Sequence, residues 1–223
     1  AEIFGFTYLS RPNKGEVKKA GNLLFGFKHG TGDFYAVFDA DFCPHPDFIT
    51  DMLPYMWDEK VGIVQSPHYF EIHNNIHKRS PIEYGSANLQ EQFFRIIQVS
   101  RDRFGGAICA GSNTIYRRSA IEKNGGPTQV DHGEDVNTGL DILTLGYTIK
   151  YIPIILAQGL SPNTLQAFYK QQNRWASSST GLLLSGKIFK AKISLAQKLC
   201  YISGITYYLS QIAYFLLPAQ LFV

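Results

Sequence analysis

Short apolar runs alternate with stretches of helical rhythm along most of this 223-residue chain. Residues 3–9 read as a strand, followed by the polar loop Ser10-Arg11-Pro12-Asn13-Lys14-Gly15. Residues 18–27 suit a helix, and the aromatic, β-branched run 34–38 suits a buried strand between Gly32 and Pro44. A helix over about 46–55 and a short buried strand over 61–65 follow. Residues 82–104 carry Leu89, Phe93, Ile96 and Ile97 on one helical face, and Gly105-Gly106 stops the run. Residues 107–116 read as a strand broken at Gly111-Ser112, and 133–145 as a helix with Gly146 at its C-cap. Residues 149–156 are extended and 163–177 helical. Such alternation predicts an α/β sheet covered by helices.

The pattern changes near Ala176. Residues 176–198 set Leu182, Leu183, Ile188 and Phe189 beside Lys187, Lys190, Lys192 and Lys198. An apolar face next to a basic one suits a helix lying on a membrane surface. From Leu199 to Val223 no residue is charged, and about 20 apolar residues span a bilayer. Tyr201, Tyr207, Tyr208 and Tyr214 suit interfacial positions. Gly204, Gln211 and Pro218 would also fit a buried core helix, but the lysines end abruptly where the uncharged run starts, which favours the membrane. The expected division is a catalytic domain over 1–175, an interfacial segment over 176–198 and the start of a transmembrane region over 199–223, the lysine side being cytosolic. The apolar ending without a stop signal reads as a piece of a longer protein.

Composition narrows the class. The chain is 45% hydrophobic and 17% charged, hence globular, and its net charge of +3 is too small to argue for nucleic acid. Cys43, Cys109 and Cys200 form no CxxC pair, which favours a reducing compartment. The six histidines lack zinc-ligand spacing, and His73 and His77 fall in a polar, Asn-rich surface loop, so no transition-metal site is expected.

Three motifs carry candidate chemistry. Asp39-Ala40-Asp41 follows the 34–38 strand; on a strand, residues two apart point to one side, so both carboxylates would project together from its carboxyl end. Paired carboxylates there suit a hard divalent cation carrying phosphate oxygens, although a solvated turn explains the tripeptide alone. Gly133-Glu134-Asp135 opens a helix, where carboxylates are favoured by the dipole and where a base can be placed beside a pocket. Gln171, Arg174 and Trp175 share one helix face through their i, i+3, i+4 spacing. Arg can grip phosphate oxygens, and Trp offers a flat surface for a sugar ring.

In order and spacing these motifs resemble the D-x-D, (T/G)-E-D and Q-x-x-R-W series of processive family 2 glycosyltransferases, the group of cellulose, hyaluronan and chitin synthases. Lys19-Ala20-Gly21-Asn22-Leu23 resembles the family's K-A-G-N-L segment. Val64-Gln65-Ser66-Pro67-His68-Tyr69-Phe70 resembles the V-Q-T-P-H-F-F segment of cellulose synthases, and Cys109-Ala110-Gly111-Ser112-Asn113 their C-G-S strand. The match spans about residues 8–185. Two positions depart: the chain begins past the family's earlier uridine-contacting Asp, and Phe42 stands where cellulose synthases often carry His.

The resemblance implies a GT-A fold, a Rossmann-like mixed sheet flanked by helices, followed by an interfacial and a transmembrane helix. It implies inverting, single-displacement transfer from a UDP-sugar, with UDP-glucose and a cellulose-like product as first choice. On that reading Asp39 contacts the nucleotide and Asp41 holds Mg²⁺ or Mn²⁺ on the diphosphate. Arg174 and Gln171 neutralise the same charge, with Lys19, Ser66 and His68 as further donor-site residues. Asp135 is the general base, Trp175 stacks under the terminal acceptor sugar, and Gly111, Ser112 and Glu134 line the acceptor side. The partners implied are a UDP-sugar, a glycan acceptor, the membrane, and accessory or export subunits. Two competing readings are a non-processive family 2 transferase acting on a lipid or oligosaccharide, and an inactive scaffold with a transferase fold. Joint retention of Asp41, Asp135 and Arg174 argues against the scaffold.

Overall fold

The computed structural model describes residues 5–13, 15–72 and 80–220, without the side chains of residue 205 and of those beyond 208. His73 and His77 lie outside the described residues. Two sheets are present. Strands β1 (Phe34–Val37), β5 (Thr114–Arg117), β3 (Val61–Gln65) and β6 (Thr148–Tyr151) form one in the order β1-β5-β3-β6, with β5 antiparallel to both neighbours and β3 parallel to β6. Strands β2 (Phe42–Pro44), β7 (Ala157–Leu160) and β4 (Tyr69–Glu71) form the smaller one in the order β2-β7-β4. The expected mixed α/β architecture is therefore present.

Strand β3 sets the core. All five of its residues are buried, as befits a central strand covered on both faces. An irregularity between Val61 and Ile63 turns Ile63 toward a cluster with Leu140, Ile142 and Ile149, while Val61 and Val64 join Phe48, Met52 and Ile115 on the other face. Gly62 permits close packing there, since a Cβ would lie 2.7 Å from Ile142 Cγ2.

Helix α1 (Lys18–His29) begins without a capping side chain, its preceding Val17 at φ 50° and Lys18 itself at φ 45°. Buried Arg11 performs the anchoring: its Nε donates to Asn22 Oδ1 at 2.7 Å and its Nη2 to the Lys18 carbonyl at 2.9 Å. Gly21 leaves the space that the guanidinium occupies. Helix α3 (Pro81–Gln92) starts on Ser80, whose hydroxyl accepts from the Ile82 N–H at 3.2 Å. It continues through a π turn at Phe93–Gln98 into α4 (Val99–Asp102), so the 82–104 expectation holds with one wider turn inside it.

Helices α2 (Phe48–Met52), α5 (Arg118–Lys123) and α6 (Glu134–Thr144) complete the layers, with Gly146 at φ 89° after α6. Helix α7 (Leu165–Leu184) runs unbroken past Ala176, and short α8 (Lys187–Lys190) leads to α9 (Leu195–Gln220). Among the described residues no helix is long and apolar enough to cross a membrane.

Two expectations need correction. Residues 5–9 form no strand: a strand needs a ladder, and among the described residues the two sheets are built without this segment. The 107–116 strand shrinks to β5, since Gly111 at φ 78° and Asn113 at φ 54° bend the backbone out of the extended region.

Candidate active site

Asp39 and Asp41 do not project from one strand face. β1 ends at Val37, and the Phe42 N–H donates to the Asp39 carbonyl at 3.0 Å, so the two carboxylates flank a turn that passes from the large sheet into β2. Asp39 is half-buried and paired with Lys19 Nζ, whereas Asp41 is exposed.

Lys19 joins the motifs. Its ammonium also donates to the Gly111 carbonyl at 3.0 Å, and the Asp39 N–H donates to Ser112 Oγ at 2.9 Å. On the opposite side of Gly111 stands Asp135: a Cβ on the glycine would lie 2.6 Å from Asp135 Oδ2. At φ 78° the position already excludes most side chains. The 18–23 segment, the Asp39 turn, the 109–113 segment and the start of α6 thus meet around one backbone loop.

Burial first, then the charge of Glu134, raises the Asp135 carboxyl to about 6, with Lys19 opposing the rise. A carboxylate lifted into that range is suited to take up a proton near neutral pH. Glu134 itself is buried, and with Asp135 it borders a cavity of about 270 Å³ between α1, β1 and α6.

The 109–113 loop is braced by Gln65, the last residue of β3 and not among the site residues that the sequence pattern suggests. Its Nε2 donates to the Ser66 and Ser112 carbonyls at 2.6 and 2.8 Å, and its Oε1 accepts from the Ala110 N–H at 2.9 Å and the Thr114 hydroxyl at 2.7 Å. A polar residue closing an otherwise apolar run was the available signal. Asn113 was also missed: its Nδ2 donates to the Pro67 carbonyl at 3.0 Å, and its Oδ1 accepts from Ser112 Oγ at 3.1 Å.

Ser66 is fully buried, its N–H donating to the Asn113 carbonyl at 3.0 Å. His68 lies among Phe42, Phe70 and Phe94, with ring centroids 5.0, 6.4 and 4.8 Å away. Its Nε2–H donates to the Ser112 carbonyl at 3.1 Å, and burial lowers the imidazole to about 4. Both residues support the loop from inside. The buried Cys109 thiol, 3.0 Å from the Tyr116 hydroxyl, is pushed up to about 12 by burial and is inert.

Gln171, Arg174 and Trp175 lie on α7, with Gln171 and Trp175 half-buried and Arg174 exposed. The helix meets the start of α6 through Ser178, one turn beyond Arg174; a Cβ on Gly133, at φ 72°, would collide with Ser178 Oγ. The profile of glycosyl transferase family group 2 matches residues 36–223, which include all of these motifs except Lys19. The chain belongs to that family.

The chain is similar to cellulose synthase subunits. The cellulose synthase 1 catalytic subunit [UDP-forming] of Komagataeibacter xylinus is 30% identical over 225 residues, covering 100% of this chain and 29% of the relative. The corresponding subunit of Xanthomonas axonopodis pv. citri is 28% identical over 210 residues, 93% of this chain and 28% of the relative. The chain thus spans less than a third of these relatives. Among solved structures, the mannosyltransferase PcManGT from Pyrobaculum calidifontis, in complex with GDP-Man and Mn²⁺, superposes with a TM-score of 0.59 at 17% identity, covering 84% of this chain and 48% of that one. S. aureus TarS 1-349 in complex with UDP-GlcNAc gives 0.50 at 11% identity, with 82% and 50% covered. At such identities the likeness concerns the fold, a GT-A-like mixed sheet flanked by helices.

Among the described residues no group of three His, Cys, Asp or Glu side chains could hold a metal ion. The exposed Asp41 carboxylate leaves most of a cation's coordination to other oxygens. That donor set fits Mg²⁺ or Mn²⁺ arriving with a diphosphate, since such ions are held by one or two carboxylates plus phosphate.

Proposed function

We propose that the full-length protein is a membrane-bound, cellulose synthase-type enzyme that transfers glucose from UDP-glucose, with inversion, to the end of a growing β-linked glycan. The observation that carries this reading is the Lys19–Asp39–Gly111–Asp135 junction, where the nucleotide-side carboxylate and the base candidate share one loop. Donor and acceptor must meet within bonding distance, and a loop that admits no side chain between them serves that need.

In this mechanism Asp39 holds the nucleotide and Lys19 fixes its carboxylate. Asp41 holds the divalent cation, which when bound offsets charge on the leaving diphosphate. Arg174 and Gln171 supply positive charge and a donor to the same group from α7. Asp135 removes the proton from the acceptor hydroxyl as that oxygen attacks the anomeric carbon. Trp175 stacks under the acceptor sugar, with Gly111, Ser112 and Glu134 shaping that side. Ser66 and His68 act by holding the Ser112 carbonyl and the Asn113 turn.

The membrane reading draws on the end of α7 and the segment after it. Leu184, Phe189, Leu195 and Leu199 are exposed beside Lys190 and Lys192, a mixed apolar and basic surface. The uncharged stretch from Leu199 onward then begins the transmembrane region. The test is incorporation of labelled glucose from UDP-glucose by membranes containing the full-length protein with Mg²⁺ or Mn²⁺. Asp135→Asn should lower it by more than 100-fold; equal product from variant and wild type would sink the assignment.

A further inference from the structure

Among the described residues, Arg101 is a buried cation with no carboxylate paired to it. It lies on α4 against α9 and is 5% exposed. Its Nη2 donates to Ser203 Oγ at 3.1 Å, while Nε and Nη1 are buried with no hydrogen-bond partner. The Phe93 ring, 5.6 Å from the guanidinium carbon, gives partial compensation. Beside it the Tyr201 hydroxyl is also buried, and among the described residues it has no hydrogen-bond partner and Arg101 no salt bridge. An uncompensated buried charge costs several kcal/mol, so a native protein keeps one where something anionic completes it. Gly204 leaves the room that the guanidinium occupies, since a Cβ there would lie 3.1 Å from Nη2.

We propose that Arg101 and the Tyr201 hydroxyl form a phosphate-binding site at the α4–α9 seam, separate from the Asp39–Asp135 centre. The free donors are N–H and O–H groups, which match phosphate oxygens. Two sources share that chemistry, the headgroup phosphate of an anionic lipid and free phosphate. Helix α9 is tied to α8 by Lys198 Nζ, which donates to the Phe189 carbonyl, and the exposed Lys190 and Lys192 of that neighbouring segment suit the lipid.

The test uses the full-length protein in detergent and needs no sugar transfer. Its thermal midpoint is followed while short-chain phosphatidylglycerol or inorganic phosphate is added, against chloride at matched ionic strength. Binding should raise the wild-type midpoint by about 2 °C or more at saturation. Arg101→Met should weaken the apparent affinity roughly tenfold or more, the loss expected for a charged hydrogen-bond partner. A response to phosphatidylglycerol alone identifies the lipid as source, and a response to both probes shows that phosphate suffices. If Arg101→Met does not fold, Tyr201→Phe and Gly204→Ala decide, since each should weaken the response. Equal responses in wild type and variants overturn the site. So does a wild-type midpoint that neither probe moves, which would mean that the guanidinium is already paired within the full-length protein.

Discussion

At the residue scale, buried His68 and half-buried Asp135 around the 109–113 loop pull stability in opposite directions with pH. Asp135 is raised from 3.8 to about 6 by burial and by Glu134, so the native state holds that proton longer than the unfolded chain. Native stability should therefore fall as pH rises through that window. His68 is lowered from 6.5 to about 4 by burial, so there the unfolded chain binds the extra proton and stability should rise with pH between those values. The windows overlap, and the slopes offset one another in the wild type. Asp135→Asn removes one of them. Urea denaturation of this variant should show stability climbing from about pH 4 to 6.5 more steeply than in wild type, with a gain of about 1–3 kcal/mol at pH 7. Parallel curves would mean that Asp135 does not carry the raised proton affinity. Gly111→Ala probes the same contact from the other side, because its Cβ would fall 2.6 Å from Asp135 Oδ2 at a backbone φ of 78°. On the proposed role of Asp135 as base, its displacement should cost more than tenfold in kcat, against about 1–2 kcal/mol in stability, read by the proposed glucose incorporation and by denaturation of the same preparation.

At the scale of elements, the contact between Gly133 and Ser178 fixes α7 against the start of α6 and so determines where Arg174 and Trp175 stand relative to Asp135. Gly133→Ala introduces both backbone strain at φ 72° and a collision with Ser178. Ser178→Gly removes the obstructing Oγ and Cβ. The double variant should recover the part of the loss due to collision and keep the roughly 1 kcal/mol due to strain, measured as thermal midpoints of the four members of the cycle. Strict additivity would show that the two helices do not bear on each other here. Such junctions mark the limit of what the chain discloses when read linearly. Strands β1 and β3 and helices α1 and α6 were legible because their apolar periodicity is local. The small sheet was not: β2, β4 and β7 have three or four residues each, and Phe42 pairs with Gly159 far along the chain. The motif residues proposed for the site can be picked out by type along the chain, whereas the turn at Asp39 and the supporting contacts of Gln65, Asn113 and Arg11 depend on distant segments.

For the molecule as a whole, the four lysines between 187 and 198 are not equivalent, and their division tells what the basic segment contributes. Lys187 is tied into the fold: its ammonium donates to Asp141 Oδ2 at 2.7 Å, and Thr128 Oγ1 donates to the same oxygen at 2.7 Å. Lys198 Nζ donates to the Phe189 carbonyl at 2.8 Å. Lys190 and Lys192 are exposed, next to the exposed rings and methyls of Phe189 and Leu195. Membrane attraction should therefore reside in Lys190 and Lys192, each contributing about 1 kcal/mol near an anionic surface. Replacing both by Gln should reduce co-sedimentation of the 223-residue chain with phosphatidylglycerol-containing vesicles by about tenfold or more at low salt. In roughly 0.5 M NaCl that difference should shrink as screening shortens the reach of the charges. Phe189→Ser should lower binding at both salt concentrations, because its contribution is apolar burial. Lys187→Gln should behave differently again, lowering the thermal midpoint through loss of the Asp141 contact while leaving vesicle binding near wild type. If Lys187→Gln reduced vesicle binding as much as the Lys190/Lys192 pair, charge count alone would govern attachment, and the geometry of α8 and the start of α9 would have no part in it.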